Sequence, residues 1–170
     1  GHLYLHDGET GGLKNRITGG EWVVRDILHV GEPDREVFFT GGGREAGRNP
    51  YYRHLYRASL DGSDIELLTP EDADHEISFA PDGLHFVDTY SRVDSPPVSV
   101  LRARDGTLVR ELERAGVDAL YSLGWTAPEP FTVKGADGRT DLYGMVYHPS
   151  DFDPGRKYPV VEHIYPGPQH

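Results

Sequence analysis

The chain has 170 residues, no cysteine and a formal net charge of −11, which rules out a disulfide framework and thiolate metal sites and sets it against phosphate backbones and anionic membranes. A hydrophobic fraction of 36% with Gly 21 and Pro 13 points to short strands and many turns, not to long helices. No apolar run approaches the roughly 20 residues of a membrane span, and the first residues lack a charged-then-apolar leader pattern.

Taken in chain order, the first signal is an internal repeat. His2-Leu3-Tyr4-Leu5-His6-Asp7-Gly8 is echoed by His54-Leu55-Tyr56-Arg57-Ala58-Ser59-Leu60-Asp61-Gly62, and Ile17-Thr18 by Leu68-Thr69. A weaker third copy, Val98 to Gly106, again ends in Asp-Gly. A period near 50 residues is the mark of a propeller or another array. Between the copies, Trp22 to Leu28 and Glu76 to Phe79 read as first strands, and Glu36 to Thr40 and His85 to Thr89 as second strands. Each unit thus contains four short strands, the content of one blade. The turns agree: Pro81-Asp82-Gly83, Asp61-Gly62 and Asp105-Gly106 supply the backbone freedom that hairpins need. Two blades are expected at 21–70 and 71–112, preceded by the outer half of another at 1–20. Such a set cannot close a ring, so further blades are expected upstream.

Four features invite a functional reading and receive a plainer one. RNPYYRHLYR, from Arg48 to Arg57, interleaves bases with aromatics as single-strand binders do, but strand alternation produces the same look; no nucleic-acid partner is expected. Gly41-Gly42-Gly43 to Gly47 lacks the Gly-Lys-Ser/Thr ending of a phosphate loop and reads as a long mobile loop. The acidic run Glu71, Asp72, Asp74, Glu76 reads as an exposed turn between blades. The pairs His2/His6 and His163/His170 have no metal-binding spacing, so neither a metal nor another cofactor is expected.

From Glu113 to Pro130 the character changes: a helix-compatible Leu112 to Leu120 precedes Trp125, Pro128 and Pro130, and the stretch reads as a linker. From Phe131 the pattern is a strand, an Asp137-Gly138 turn, a second strand at Leu142 to His148, a proline-rich loop and a buried-looking strand at Pro159 to Tyr165.

KYPVVEHIYPGPQ, following FTVKGADGRTDLYGMVYHP, resembles the entry to the catalytic domain of the prolyl oligopeptidase superfamily. GRNPYYRHLYRASLDG resembles late blades of the dipeptidyl peptidase IV-like branch. The resemblance implies a mainly β fold: a partial β-propeller of about two and a half four-stranded blades at 1–112, a linker at 113–130, and the first strands of an α/β-hydrolase domain at 131–170, truncated. It also implies a serine exopeptidase that releases dipeptides from peptides with a free N-terminus, after proline or alanine, by acyl-enzyme chemistry.

In that family the nucleophile sits on a G-x-S-x-G turn downstream, followed by Asp and His. No serine of this chain lies between two glycines at that spacing; Ser122 has Gly124 after it but Leu120 before it. The chain alone is therefore expected to be inactive. One role carries over: Tyr165 matches the tyrosine of the family's Y-x-G-P motif, whose hydroxyl helps form the oxyanion hole. Pro166 follows it where a small residue is more common. The resemblance also implies a homodimer of the parent protein and a periplasmic or secreted setting. The alternative from a different class is a propeller-type binding or scaffold module with a vestigial hydrolase tail.

Overall fold

The computed structural model describes residues 1–164. Strands β1 (Tyr4–His6) and β2 (Leu13–Arg16) form an antiparallel pair. Strands β3 (Val23–Gly31), β4 (Glu36–Gly42), β5 (His54–Ser59) and β6 (Ile65–Leu67) follow as a four-stranded antiparallel meander. A second meander contains β7 (Asp74–Phe79), β8 (His85–Arg92), β9 (Ser95–Ala103) and β10 (Leu108–Arg114). A five-residue helix α1 (Asp118–Ser122) leads to a hairpin of β11 (Glu129–Lys134) and β12 (Asp141–Val146). Two complete four-stranded blades, preceded by a two-stranded pair, match the expected architecture.

Strand β4 shows why the first meander is the centre of the molecule. Side chains alternate between the two faces of a strand, and here both faces are dry. Val37 and Phe39 pack with Ile17, Tyr56 and Ala58 towards the β1–β2 pair. Phe38 packs with Leu55, Leu68 and Phe86 towards the second meander. Full burial of each such large apolar side chain contributes on the order of 1.5–3 kcal/mol.

The sequence repeat is a structural one. The Thr18 hydroxyl accepts a hydrogen bond from the Leu3 amide at 2.8 Å, and the Thr69 hydroxyl accepts the corresponding bond from the Leu55 amide at 2.9 Å. Both threonines are buried, and each gives a backbone amide at or next to the start of a strand its acceptor. The Asp-Gly turns repeat as well. Gly62 (φ +79) lies against the Arg16 carbonyl, and Gly106 (φ +84) against the Leu68 carbonyl of the next sheet back. Each blade therefore rests its β-turn on the outer strand of the blade before it.

Three expectations need correction. Gly41 and Gly42 are buried residues of β4, not part of a mobile loop: Trp22 lies over Gly41, and a Cβ on Gly42 would stand 2.6 Å from the Pro50 carbonyl oxygen. The stretch from Leu112 to Leu120 is divided, because β10 continues its pairing with β9 as far as Arg114 and leaves only Asp118–Ser122 helical. Residues 159–164 form no strand, and Val160 and Val161 are 91% and 92% exposed. A strand needs a neighbour to take its backbone hydrogen bonds, and among the described residues β12 pairs with β11 alone.

Candidate functional site at the seam between two blades

Pairing in the second meander sets Asp88 opposite Ile77 and Val100, Phe86 opposite Arg102, and His75 opposite Tyr90. Residues directly opposite share a face, so His75, Asp88 and Arg102 project to the same side as Phe86, Val98 and Val100. That side packs on the first meander. The three polar residues are 1%, 0% and 2% exposed, and their contacts with each other are correspondingly complete.

Arg102 donates from Nε to Asp88 Oδ2 at 2.9 Å, from one terminal nitrogen to Glu71 Oε1 at 2.6 Å, and from the other to the Gly106 carbonyl at 3.2 Å. Burial works against the guanidinium charge, but the hydrogen bonds to Glu71 and Asp88 outweigh it and raise the Arg102 pKa further above its ordinary value. His75 completes the cluster, with Nδ1 2.8 Å from Asp88 Oδ1 and Nε2 3.0 Å from the Glu71 carbonyl. Glu71, His75 and Asp88 present atoms within 4.8 Å of one another, a spacing that a metal ion would tolerate. The cation among them is Arg102, whose guanidinium already holds both carboxylates. The cluster has no nucleophile; its bonds brace the face of the second blade that packs on the first, and Arg48 reaches it from the first blade through the Glu71 carbonyl at 3.3 Å.

The acidic run is thus less exposed than its sequence suggests. Glu71 serves Arg102, and Asp74 accepts two side-chain bonds and one backbone bond from Arg53. Asp72 and Glu76 are exposed. The bases of the Arg48 to Arg57 stretch are also engaged within the chain: Arg48 with the carbonyls of Pro70 and Glu71, Arg53 with Asp74, and Arg57 with Glu36 and Glu66.

Beside the cluster, an open cleft of about 290 Å³ lies between the blades and the β11–β12 hairpin, lined by Tyr52, Asp72 and Arg92 on one side and Phe131 and Tyr143 on the other. Arg92 is held by Asp94 through two bonds of 2.8 and 2.7 Å. Tyr51 meets Tyr143 edge-on at a centroid distance of 6.1 Å, so the hairpin docks through aromatic contact.

Successive four-stranded meanders, each resting a glycine turn on the sheet before it, are propeller blades, and the sequence pattern of the dipeptidyl peptidase IV (DPP IV) N-terminal region matches residues 1–97. The chain belongs to this family. It is 33% identical over 165 residues to dipeptidyl peptidase 8 of Homo sapiens and to that of Mus musculus, covering 90% of this chain and 18% of each relative. The crystal structure of Porphyromonas gingivalis dipeptidyl peptidase 4 superposes with a TM-score of 0.73 at 26% identity, covering 93% of this chain and 22% of that one. The chain therefore spans about a fifth of the length of these DPP IV-like relatives.

Tyr165, the residue singled out by resemblance, lies outside the described residues. The cluster of His75, Asp88, Arg102 and Glu71 escaped sequence reasoning. One signal for it was present: Asp88 falls two residues after Phe86, and Arg102 two after Val100, on faces that alternation marks as buried. A charge on a buried face requires a partner, and the two charges have opposite sign. Among the described residues, no helix is long and apolar enough to cross a membrane.

Proposed function

We propose that this chain is the late-propeller and hydrolase-entry portion of a serine exopeptidase that removes dipeptides from the free N-terminus of peptides through an acyl-enzyme. The observation that carries this reading is continuity. Similarity to dipeptidyl peptidase 8 spans 90% of the chain, more than the blades at 1–112 contain, so it runs on through the β11–β12 hairpin. The proposed division is blades over 1–112, a linker over 113–130, and the start of a hydrolase domain over 131–170.

In this reading Tyr165 donates its phenolic hydrogen to the alkoxide that forms when the substrate carbonyl is attacked. A donor aimed at developing charge typically contributes about 10²–10³ in rate. The nucleophile, its base and the orienting carboxylate would come from outside this chain, which has no G-x-S-x-G turn of its own. A fluorophosphonate probe is accordingly expected not to label the 170-residue chain.

The test is expression of the complete reading frame with a glycyl-prolyl chromogenic substrate. Cleavage is expected, with kcat falling about 10²–10³ in Tyr165→Phe. Cleavage that survives Tyr165→Phe unchanged removes the oxyanion role and leaves the peptidase. A complete, folded protein that cleaves no N-terminal dipeptide overturns the reading and favours a propeller binding module.

A further inference from the structure

The seam between the two blades holds two histidines in opposite hydrogen-bonding situations. Both ring nitrogens of His75 face acceptors: Asp88 Oδ1 at 2.8 Å and the Glu71 carbonyl at 3.0 Å. A carbonyl has no hydrogen to give. Asp88 also accepts from Arg102 through its other oxygen, so as a carboxylate it offers an acceptor to each of its two neighbours. A neutral imidazole carries one N–H and one bare lone pair. Either tautomer would therefore set that lone pair against an oxygen at hydrogen-bond distance, in a site without solvent. Hydrogen on both nitrogens satisfies both contacts.

The charged groups around His75 are the Glu71 and Asp88 carboxylates, the Arg102 guanidinium between them, and Arg48, which donates to the Glu71 carbonyl at 3.3 Å. The surplus is of acceptors, since Glu71 Oε2 is buried with no partner. An unbalanced buried charge is costly, whereas a paired and hydrogen-bonded one is tolerated.

His54, on β5 across the seam, is the contrasting case. Its ring centroid lies 5.2 Å from that of His75. Nδ1 is 3.3 Å from the Thr69 carbonyl and so carries the hydrogen, while Nε2 is buried with no partner. Burial, followed by the charges of His75 and Arg48, lowers the His54 pKa, against which the bond to the Thr69 carbonyl and then Glu45 act. The Tyr90 ring lies 5.5 Å from that of His75.

We propose that His75 is an imidazolium in the folded protein and acts as the proton-sensitive key of the interblade seam, with His54 as its neutral neighbour. Loss of the His75 proton forfeits either the Asp88 or the Glu71 contact. Glu71 precedes Asp72, which lines the cleft against the hairpin, so loosening at the seam reaches the place where the hairpin docks.

The experiment is a long-range ¹H–¹⁵N correlation of the histidine rings in the 170-residue chain at about pH 7, where free imidazole is mostly neutral. His75 is expected to show two protonated nitrogens, and His54 a protonated Nδ1 with a bare Nε2. His54→Asn, which removes one of the two ring signals and none of the cluster's hydrogen bonds, provides the assignment. A bare nitrogen on His75 overturns the proposal. Titration to higher pH then tests the switch: amide exchange at Leu55, Ala73 and His75 should rise together as the second proton leaves. Exchange that stays constant through that loss shows a structural ion without a switching role.

Discussion

Arg53 and Asp74 join the start of β5 to the start of β7: the guanidinium meets the carboxylate at 3.0 and 2.6 Å, and the Arg53 amide donates to the same carboxylate at 2.8 Å. This one residue pair ties two sheets at their entry points. Burial tends to raise the Asp74 pKa, but the side-chain and backbone hydrogen bonds from Arg53 outweigh it and leave the pKa below the ordinary carboxylate value.

Asp74→Asn is therefore expected to destabilise the fold at neutral pH. With both side chains more than a third exposed, the ion pair itself contributes about 1 kcal/mol. The sign follows from linkage: a lowered pKa means that the unfolded chain binds more protons, so the stabilisation is present above the ordinary carboxylate pKa and fades as pH falls through the folded value. Urea titrations of both proteins should give midpoints that differ at neutral pH and converge in acid. Parallel curves at all pH values would rule out the ion pair as the cause.

The two turn glycines can be separated from turn glycines in general. Gly62, Gly106 and Gly138 all have positive φ, but a Cβ would meet a carbonyl oxygen at 2.5 Å from Gly62 and 2.7 Å from Gly106, and nothing within 4 Å from Gly138. Gly138→Ala should cost only the left-handed backbone penalty of about 1–2 kcal/mol. Gly62→Ala and Gly106→Ala should cost roughly twice that or more, because the blade behind must also move. Thermal melts of the three variants decide the point, and equal losses would place the whole cost in the backbone dihedral.

Replacing Arg102 by Met should be among the most damaging single changes, at about 3–5 kcal/mol, since Asp88 and Glu71 would stay buried without their cation. Adding Asp88→Leu to Arg102→Met should recover part of that loss. Denaturant unfolding of the single and double variants measures the coupling. A double variant that loses the sum of the two single losses would show that the charges do not act as a unit.

His54 contributes a separate pH dependence. Burial, with the charges of His75 and Arg48, lowers its pKa, so the unfolded chain takes up a proton that the folded chain refuses. Stability from this residue is complete above the ordinary imidazole value of about 6.5 and declines as pH falls towards the folded value. His54→Asn keeps a donor for the Thr69 carbonyl and removes the titration. Its stability should fall less steeply between about pH 6.5 and pH 5 than that of the parent chain; identical slopes in that interval would assign the acid sensitivity elsewhere.

The blades were legible in the sequence because what makes them is local. The short apolar run from Val37 to Phe39, the Asp-Gly turns and the recurring His-Leu-Tyr and Ile/Leu-Thr pairs each act within a few residues or one hairpin, and the observed sheets and the Thr18 and Thr69 bonds follow them. The tertiary structure alone decided which residues meet. Glu71, His75, Asp88 and Arg102 converge only when three strands pair in one register and their shared face is pressed against the neighbouring blade, and neither the register nor the neighbour is written in the spacing of those residues. For the same reason Gly41 and Gly42, with the look of a loop, became core strand once Trp22 and Pro50 closed over them. Residues 159–164, with the look of a core strand, form none because a strand is completed by its partner's hydrogen bonds and not by its own side chains.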